Sequence, residues 1–278
     1  MSVTHDLHAH STASDGTLTP AQLMRRAHAA GVQVMALTDH DTLEGLPEAA
    51  AEAAQLGLRF VPGVEVSVSW GGRTVHIVGL GVDPQSTELE QGLRGLRGYR
   101  DWRAEEMGRR LAKVGIEGMF EHARGLSNGR LISRTHFARA LVEKGHAESV
   151  RAVFKKFLVN GKPGFVEGQW ASLADAVGWI VAAGGQAVIA HPARYGLTRT
   201  RLRKLIKDFM AAGGTGIEVV SGSHSRDDYF TMAQHARDFG LLASTGSDYH
   251  GPENPWIELG PLPQLPHGCT PIWHDWAA

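Results

Sequence analysis

The sequence predicts an α/β protein, and three observations indicate this class. Short apolar segments alternate with alanine-rich segments of helical periodicity along most of the chain. His, Asp and Glu residues repeatedly follow the apolar segments, at the positions where strands of α/β proteins carry their active sites. The alternation is interrupted once, from about residue 86 to residue 162, by a basic and helical stretch. We therefore expect an α/β domain with a helical insertion.

Composition excludes several classes of function. The chain has 278 residues, and a formal net charge of −1 gives no field that would hold a long nucleic-acid duplex. An anionic ligand must therefore be recognised by a local cluster of charges. The single cysteine, Cys269, excludes an internal disulfide and is typical of a reducing compartment. Because we find neither a signal-peptide pattern nor a membrane-spanning pattern, we expect a cytoplasmic protein that does not bind membranes.

The first candidate site lies in the segment D-L-H-A-H-S-T-A-S-D-G at residues 6–16. On an extended strand, the i, i+2 spacing of His8 and His10 directs both imidazoles to one face. The next loop is rich in Ser, Thr and Gly, and it can fold Asp15 back toward them. An H-x-H pair also occurs by chance, so the prediction of a metal site depends on further candidate ligands downstream in the chain.

Two helices and three further strands are predicted before residue 85. Thr19 is suited to the N-cap of a helix over residues 21–30, with Pro20 at its first position. The other elements are a strand at residues 34–38, a helix at 45–56, a strand at 59–65 and a strand at 73–82.

The stretch from residue 86 to residue 162 loses the strand signals and becomes helical and basic. Typical segments are Y-R-D-W-R-A-E-E-M-G-R-R-L and S-R-T-H-F-A-R-A-L-V-E-K-G. The turn-forming sequence N-G-K-P-G at residues 160–164 then returns the chain to the main body. We expect residues 1–85 and 163–278 to form one α/β domain and residues 86–162 to form an insertion that binds the substrate.

The alternation resumes after the insertion. Helices are predicted at residues 173–183, 200–212 and 225–239, and strands at 186–190, 216–220 and 242–245. The proline-rich tail after residue 252 is expected to be irregular.

The candidate metal ligands share one position in these predicted elements. They lie at or just beyond the C-terminal end of a strand, which buried structural histidines would have no reason to prefer. His76 differs, because it lies inside a strand, and an isolated histidine there is more often structural than a ligand. Of the 15 histidines, nine fall outside the ligand candidates, and only His136 among those nine is kept as a functional candidate. The strand-end candidates are His8, His10, His40, Glu65, His191, Asp248 and His250.

Six motifs resemble those of a known family, the polymerase and histidinol phosphatase (PHP) domain phosphoesterases. They are D-L-H-A-H-S-T-A-S-D-G at residues 6–16, A-L-T-D-H-D-T at 36–42, G-V-E-V-S at 63–67, H-I-V-G-L at 76–80, I-A-H-P at 189–192 and S-D-Y-H at 247–250. The resemblance implies a distorted β/α barrel of seven strands with a trinuclear metal centre at its C-terminal mouth. It implies that His8, His10, Glu65 and Asp248 hold one ion, that Glu65, His76 and His191 hold a second, and that Asp15, His40 and His250 hold a third. No position of the family's nine-ligand set is missing.

The chemistry of such a centre suits a phosphate ester. Three divalent ions among three carboxylates and six neutral imidazoles keep a formal surplus of about +3, which hydroxide and an anionic substrate would balance. A hydroxide held between ions bound by Glu65, Asp248 and His191 would attack phosphorus in line. Ligation by nitrogen and oxygen without thiolate is compatible with Mn, Fe or Zn, and the resemblance favours Mn. We interpret Asp39 and Asp41, on either side of His40, as residues that orient its imidazole or cap a helix rather than as participants in the reaction.

The basic insertion is expected to select the substrate. Arginine and aromatic side chains together can clamp a phosphate and stack a base, although most arginines on helices are simply solvated. The arrangement resembles that of nucleoside 3',5'-bisphosphate phosphatases and of relatives that trim short RNA from its 5' end. Two alternatives remain, a histidinol-phosphate-type phosphomonoesterase and a non-catalytic, metal-stabilised module that binds nucleotide or protein. The candidate substrate-binding residues are Tyr99, Arg100, Trp102, Arg103, Arg130, Arg134, His136 and Arg194.

Overall fold

The computed structural model describes residues 4–127, 130–254, 256–260 and 262–276. In these residues, seven strands form one sheet whose spatial order follows the chain order. The strands are β1 His5–Asp6, β2 Val34–Leu37, β3 Arg59–Trp70, β4 Arg73–Leu80, β5 Gln186–Ile189, β6 Gly216–Ser221 and β7 Leu242–Gly246. The helices are α1 Pro20–Ala29, α2 Leu46–Leu56, α3 Thr87–Ala112, α4 Met119–Leu126, α5 Arg134–Glu143, α6 Val150–Val153, α7 Leu173–Ala182, α8 Arg199–Ala211 and α9 Arg226–Phe239.

The sheet curls into a nearly closed barrel. The last strand meets the first where the Leu7 N–H donates to the Thr245 carbonyl at 3.0 Å. An isolated parallel bridge between Ala9 and Tyr249 continues this contact toward the mouth. Helices α1, α2, α7, α8 and α9 bury their apolar faces against the outside of the strands. The prediction of a distorted seven-stranded β/α barrel is confirmed.

One part of the barrel departs from strict β-α alternation. A two-residue turn at Gly71 and Gly72, both with positive φ (56° and 75°), joins β3 directly to β4. So short a connection allows only antiparallel pairing, whereas parallel strands need a crossover. β3 therefore continues to Trp70, and Glu65 lies in its interior rather than at its end, where we expected it.

The hairpin also brings His76 to the same face as Glu65. In the antiparallel register His76 pairs with Ser67, and Ser67 is two residues from Glu65 along β3. Residues two apart on a strand share a face, so the Glu65 and His76 side chains are diagonal neighbours. Because β4 runs antiparallel to β3, His76 lies at the mouth of the barrel although it is in the interior of its strand.

The barrel interior below the mouth is apolar. Val61 and Val188 of the strands fill it together with Leu7, which follows β1, and Ile272 of the C-terminal tail packs beneath them. The tail is mostly irregular, as predicted, and Trp273 and Trp276 cover this lower end. The candidate metal ligands lie at the opposite end of the barrel.

Helix α3 connects two hydrophobic cores. Its first turns place Leu89, Leu93 and Leu96 in the core of the barrel. Its later turns place Met107 and Leu111 in a second buried cluster that α4, α5 and α6 share. One continuous helix thus fixes the position of the helical segment over the mouth of the barrel. No helix in the described part of the chain is long and apolar enough to cross a membrane.

Candidate metal centre

All nine predicted ligands converge at the mouth of the barrel. They come from the ends of β1, β2, β5 and β7 and from the interiors of β3 and β4. Most are fully buried, and His76 and His250 are the most accessible of them, with 20% and 27% of their side chains exposed. Their nitrogen and oxygen atoms form four overlapping clusters, and His8, His10, His40 and Glu65 each belong to two of them. These clusters include all members of the three expected ligand groups.

The first group contains two imidazoles and two carboxylates. The Nε2 atoms of His8 and His10 are 3.2 Å apart. Asp248 Oδ1 lies 3.6 Å from His8 Nε2 and 3.4 Å from His10 Nε2. Glu65 contributes Oε1 at 3.4 Å from His8 and Oε2 at 3.4 Å from His10. Two atoms that ligate one ion at about 2.1 Å are about 3.0–3.5 Å apart, so these spacings fit a shared cation.

The second group uses the other side of Glu65. Its Oε1 lies 3.0 Å from His76 Nδ1 and 2.9 Å from His191 Nε2. The two imidazole nitrogens are 3.4 Å from each other. Because Glu65 belongs to both groups, one carboxylate is placed to bridge two ions.

The third group is looser and lies nearer the solvent. Asp15 Oδ1 is 3.3 Å from His250 Nε2 and 3.9 Å from His40 Nε2. The other ring nitrogen of His40 lies 2.8 Å from Glu65 Oε2. This places the third group directly beside the first two.

Several of these atoms are buried without a hydrogen bond. Asp15 Oδ1, His40 Nδ1 and Glu65 Oε2 have no such partner among the described residues. The His40 and Glu65 atoms are 2.8 Å apart and still lack hydrogen-bond geometry. Buried polar atoms without partners are costly, and a cation between them would satisfy several at once. The donor set therefore fits divalent metal ions.

The electrostatic environment suits this role. Burial, with His250 and His40 close by, lowers the pKa of His10 to about 3, and burial lowers that of His76 to about 4. Both imidazoles are thus neutral at neutral pH, as metal ligands must be. Burial alone would raise the pKa of Glu65, but His76 and His40 outweigh it and hold that pKa well below its usual range. Glu65 is therefore an anion despite its complete burial.

Three further residues lie against the ligands or their backbone and were not predicted as site residues. Glu218 on β6 contacts His8 Nδ1 and the His191 N–H. The Tyr195 hydroxyl accepts from the His76 N–H and donates to the Ala190 carbonyl, both at 2.8 Å, and so ties β4 to the end of β5. No local pattern marks Glu218 or Tyr195, because each contacts a ligand that is distant in sequence. The third is Gly16, where a side chain would collide with the backbone of His10.

Asp39 and Asp41 both organise the mouth through hydrogen bonds. Asp39 accepts from the Ser11 N–H at 2.8 Å and from the hydroxyls of Ser11 and Ser14, both at 2.6 Å. It therefore fixes the loop between His10 and Asp15, while the side chain of Asp41 points to the helical segment.

Arg100 is bound by Asp41 rather than free in the cavity. Its Nε lies 2.7 Å from Asp41 Oδ2, and it donates to the Ser67 hydroxyl at 2.8 Å. The other carboxylate oxygen of Asp41 accepts from the Ser67 N–H at 2.7 Å. Both side chains are buried, so this ion pair joins α3 to the barrel.

We expect Asp41→Asn to destabilise the fold by about 3–5 kcal/mol, because the buried Arg100 charge would lose its counterion. Urea denaturation of the two proteins measures this. The control is Lys204→Ala, which removes a solvent-exposed pair with Asp208 and should change stability far less. Equal effects of the two substitutions would contradict a structural role for the buried pair.

Arg103, Arg134 and Arg194 line the cavity beside the metal ligands. The guanidinium of Arg103 donates to the Val166 carbonyl and lies over the Trp170 ring, and Arg134 has no carboxylate partner in the described part of the chain. Burial, with Arg134 and Arg100 close by, lowers the pKa of Arg103 to about 9, and burial lowers that of Arg134. Arg194 pairs with Asp248 at 2.6 Å. Positive charge without a counterion thus faces a cavity of about 140 Å³.

Four other predicted substrate-binding residues lie elsewhere. His136 is buried and its Nδ1 accepts from the Ser133 N–H at 3.1 Å, which caps α5. Arg130 is exposed, Trp102 is 52% exposed, and the Tyr99 hydroxyl donates to the Glu167 carbonyl. None of the four contributes to the walls of the 140 Å³ cavity.

The cavity opens into a larger groove. This outer groove, of about 800 Å³, lies between the β3–β4 hairpin and residues 159–168. Thr74 and the three arginines Arg103, Arg134 and Arg194 line both spaces. The arginines therefore stand between the metal centre and the groove.

Two curated relatives match nearly the whole chain. A 3',5'-nucleoside bisphosphate phosphatase from Chromobacterium violaceum is 55% identical over 271 residues, which are 97% of this chain and 95% of that protein. A 5'-3' exoribonuclease from Haemophilus influenzae is 43% identical over 273 residues, covering 98% of this chain and 99% of that protein.

The fold is shared with a solved structure. That structure, an amidohydrolase from Chromobacterium violaceum with bound sulfate and no metal, has a TM-score of 0.95 and 54% identity over 98% of this chain and 95% of that chain. The family model of the PHP domain matches residues 6–159. Because this match includes more than half of the chain and the relatives extend it to nearly the whole length, the chain belongs to the PHP domain family.

Proposed function

We propose that this protein is a metal-dependent phosphatase that removes the 3'-phosphate from nucleoside 3',5'-bisphosphates. The observation that carries the proposal is one small cavity lined both by metal-ligand side chains and by Arg103 and Arg134, which pair with no carboxylate in the described part of the chain. The first set suits the scissile phosphate and the second suits another phosphate of the same molecule.

The three groups of side chains would hold three divalent ions, which we propose to be manganese. Fe and Zn are alternatives, since the ligands are nitrogen and oxygen only. Bound there, the ions would supply an activated water and neutralise the charge of the phosphate oxygens. The chain itself fixes where this happens, because Glu65 lines the cavity from β3 and His191 and Asp248 line it from just beyond the ends of β5 and β7.

The remaining cavity wall selects the substrate. A guanidinium offers two parallel N–H donors to a phosphate, and Arg134, which lies over the Phe154 ring, has no carboxylate partner among the described residues. Arg194 is anchored by Asp248 and so is held beside the metal ligands. We assign the substrate's 5'-phosphate to Arg134 with Arg103 and Arg194.

The size of the cavity requires the substrate to extend beyond it. Pockets for small organic ligands are commonly about 300–1,000 Å³, and the inner cavity has only about 140 Å³. The phosphates would occupy the inner cavity and the remainder of the nucleotide would reach the outer groove of about 800 Å³. Both the size and the charge of the site suit a small, multiply phosphorylated molecule.

A second activity is favoured by the same geometry. In a short RNA with a 5'-phosphate, the first phosphodiester takes the place of the 3'-phosphate, so the same two subsites would bind it. The open groove leaves room for a longer chain. The relative from Haemophilus influenzae bears the name of a 5'-3' exoribonuclease, which supports removal of 5' nucleotides from RNA as a further activity. We propose nucleoside 3',5'-bisphosphates and the 5' ends of short RNA as the ligands of the site. We also propose that the protein is located in the cytoplasm.

We expect manganese-loaded protein to release phosphate faster from adenosine 3',5'-bisphosphate than from adenosine 3'-monophosphate or histidinol phosphate. The physical reason is the second phosphate, which only the bisphosphate can place on the arginines. Phosphate release from the three substrates, with metal content measured alongside, checks this.

The same assay includes its controls. Chelation should abolish hydrolysis and manganese should restore it. Preference for histidinol phosphate would indicate a histidinol-phosphate-type enzyme. Nucleotide binding without hydrolysis that persists after chelation would indicate a non-catalytic module.

A further inference from the structure

Glu218 is a buried carboxylate of the barrel wall. It lies on β6 with 1% of its surface exposed, while its neighbours Ile217 and Val219 face the helices outside the barrel. Burying a charged group costs several kcal/mol unless it is paired and hydrogen-bonded. The partners of Glu218 should therefore explain why a carboxylate stands there.

Both oxygens of Glu218 contact residues of the metal centre. Oε1 lies 2.6 Å from His8 Nδ1, and Oε2 accepts from the His191 N–H at 2.5 Å. In the expected ligand groups His8 belongs to the first and His191 to the second, and both lie beside Glu65. His191 has a positive φ of 28°, which is uncommon for a residue other than glycine, so its backbone needs such an anchor.

The contact with His8 determines which ring nitrogen carries the proton. A carboxylate oxygen accepts hydrogen bonds, so His8 Nδ1 is the donor of this 2.6 Å contact. The lone pair is then on Nε2, the atom that faces His10 Nε2 at 3.2 Å and Glu65 Oε1 at 3.4 Å. The opposite tautomer would direct an N–H into the position of the ion.

The space around the contact between His8 and Glu218 is tightly filled. A side chain at Gly246 would collide with His8 Cβ and would approach Glu218 Oε1 to 3.1 Å. Neighbouring strands β6 and β7 also shift register between Glu218 and Val220, an irregularity of the kind that redirects side chains near active sites.

We propose that Glu218 is a positioning residue of the metal centre, which holds His8 in the tautomer that binds metal through Nε2 and anchors the backbone of His191. One carboxylate thereby keeps the first and second ligand groups in a fixed relation. The inference rests on the metal centre of the proposed function, but it concerns metal binding and is independent of the substrate.

The test is Glu218→Gln, which keeps the shape of the side chain and its ability to accept from the His191 N–H. Its amide nitrogen would donate to His8 Nδ1 and so move the imidazole proton to Nε2. We expect metal affinity, measured by chelator competition, to fall by about 10–100-fold. Metal content after dialysis should fall by about one ion per chain. The matched control is Glu117→Gln, an identical change of charge at an exposed position, which should bind metal as the wild type does.

A spectroscopic measurement separates positioning from a purely structural role. In zinc-loaded protein labelled with ¹⁵N-histidine, long-range proton–nitrogen spectra should show His8 with a protonated Nδ1 and a metal-bound Nε2. This pattern should be lost in Glu218→Gln. Unchanged metal affinity together with an unchanged His8 pattern would overturn the proposal.

Wild-type protein alone also tests the inference if the variant does not fold. A wild-type His8 with its proton on Nε2, or with metal on Nδ1, would overturn the proposal without any variant. Neither metal content nor the spectra depend on turnover. A protein that positions its metals in this way but hydrolyses no nucleotide would contradict the proposed function and leave this inference standing.

Discussion

Glu65→Gln is expected to lower kcat by at least about a thousandfold and to remove more than one metal ion per chain. Glu65 contributes Oε1 to the second ligand group and both oxygens to the first, and its Oε2 also lies beside His40. An amide cannot bridge two cations as a carboxylate does, because its nitrogen is a donor. The loss should therefore exceed that of any ligand belonging to one group.

Metal analysis and turnover of the same preparation measure both effects. His250→Ala is the comparison within the centre, since His250 belongs to the third group alone and should remove fewer ions. Glu117→Gln controls for the change of charge at an exposed position. Circular dichroism should show that the variants remain folded. A Glu65→Gln protein that retains all its metal and most of its turnover would contradict the bridging assignment.

Arg134→Ala is expected to lower kcat/KM on adenosine 3',5'-bisphosphate by about ten- to a hundredfold. The loss of a charged hydrogen bond to phosphate typically costs about 1.5–3 kcal/mol. Arg134 borders the cavity, and no carboxylate in the described part of the chain neutralises it. A nucleoside 3'-monophosphate has no second phosphate to lose, so its hydrolysis should be much less sensitive.

The control is Arg130→Ala, which removes an exposed arginine from the same segment, outside both the cavity and the groove. It should behave as the wild type on both substrates. Arg103→Ala is a less selective test, because Arg103 also holds the Val166 carbonyl and stacks on Trp170. Equal losses on bisphosphate and monophosphate would show that Arg134 supports the fold or the metal centre instead.

The sequence alone determined the elements and the ligand types. Helix caps such as Thr19 act within a few residues, and the structure shows the expected N-cap with its capping box. The sequence predicts the strand at residues 34–38 because a buried parallel strand is continuously apolar. His8 and His10 were identifiable as a pair because their spacing matches the two-residue period of a strand. All of these signals are local, and local geometry decides them.

The tertiary structure decided which side chains meet. Glu65 was predicted at a strand end, and only the pairing of β3 with β4 placed it inside a hairpin. Arg100 and Arg134 look alike in the sequence, but Asp41, 59 residues from Arg100, neutralises the first and leaves the second free. Glu218 resembles an ordinary strand residue, and its partner His8 is 210 residues away. The role of a charged side chain depends on its partner. For these residues the partner is distant in sequence, so only the folding of the barrel brings the two side chains together, and local periodicity cannot predict the contact.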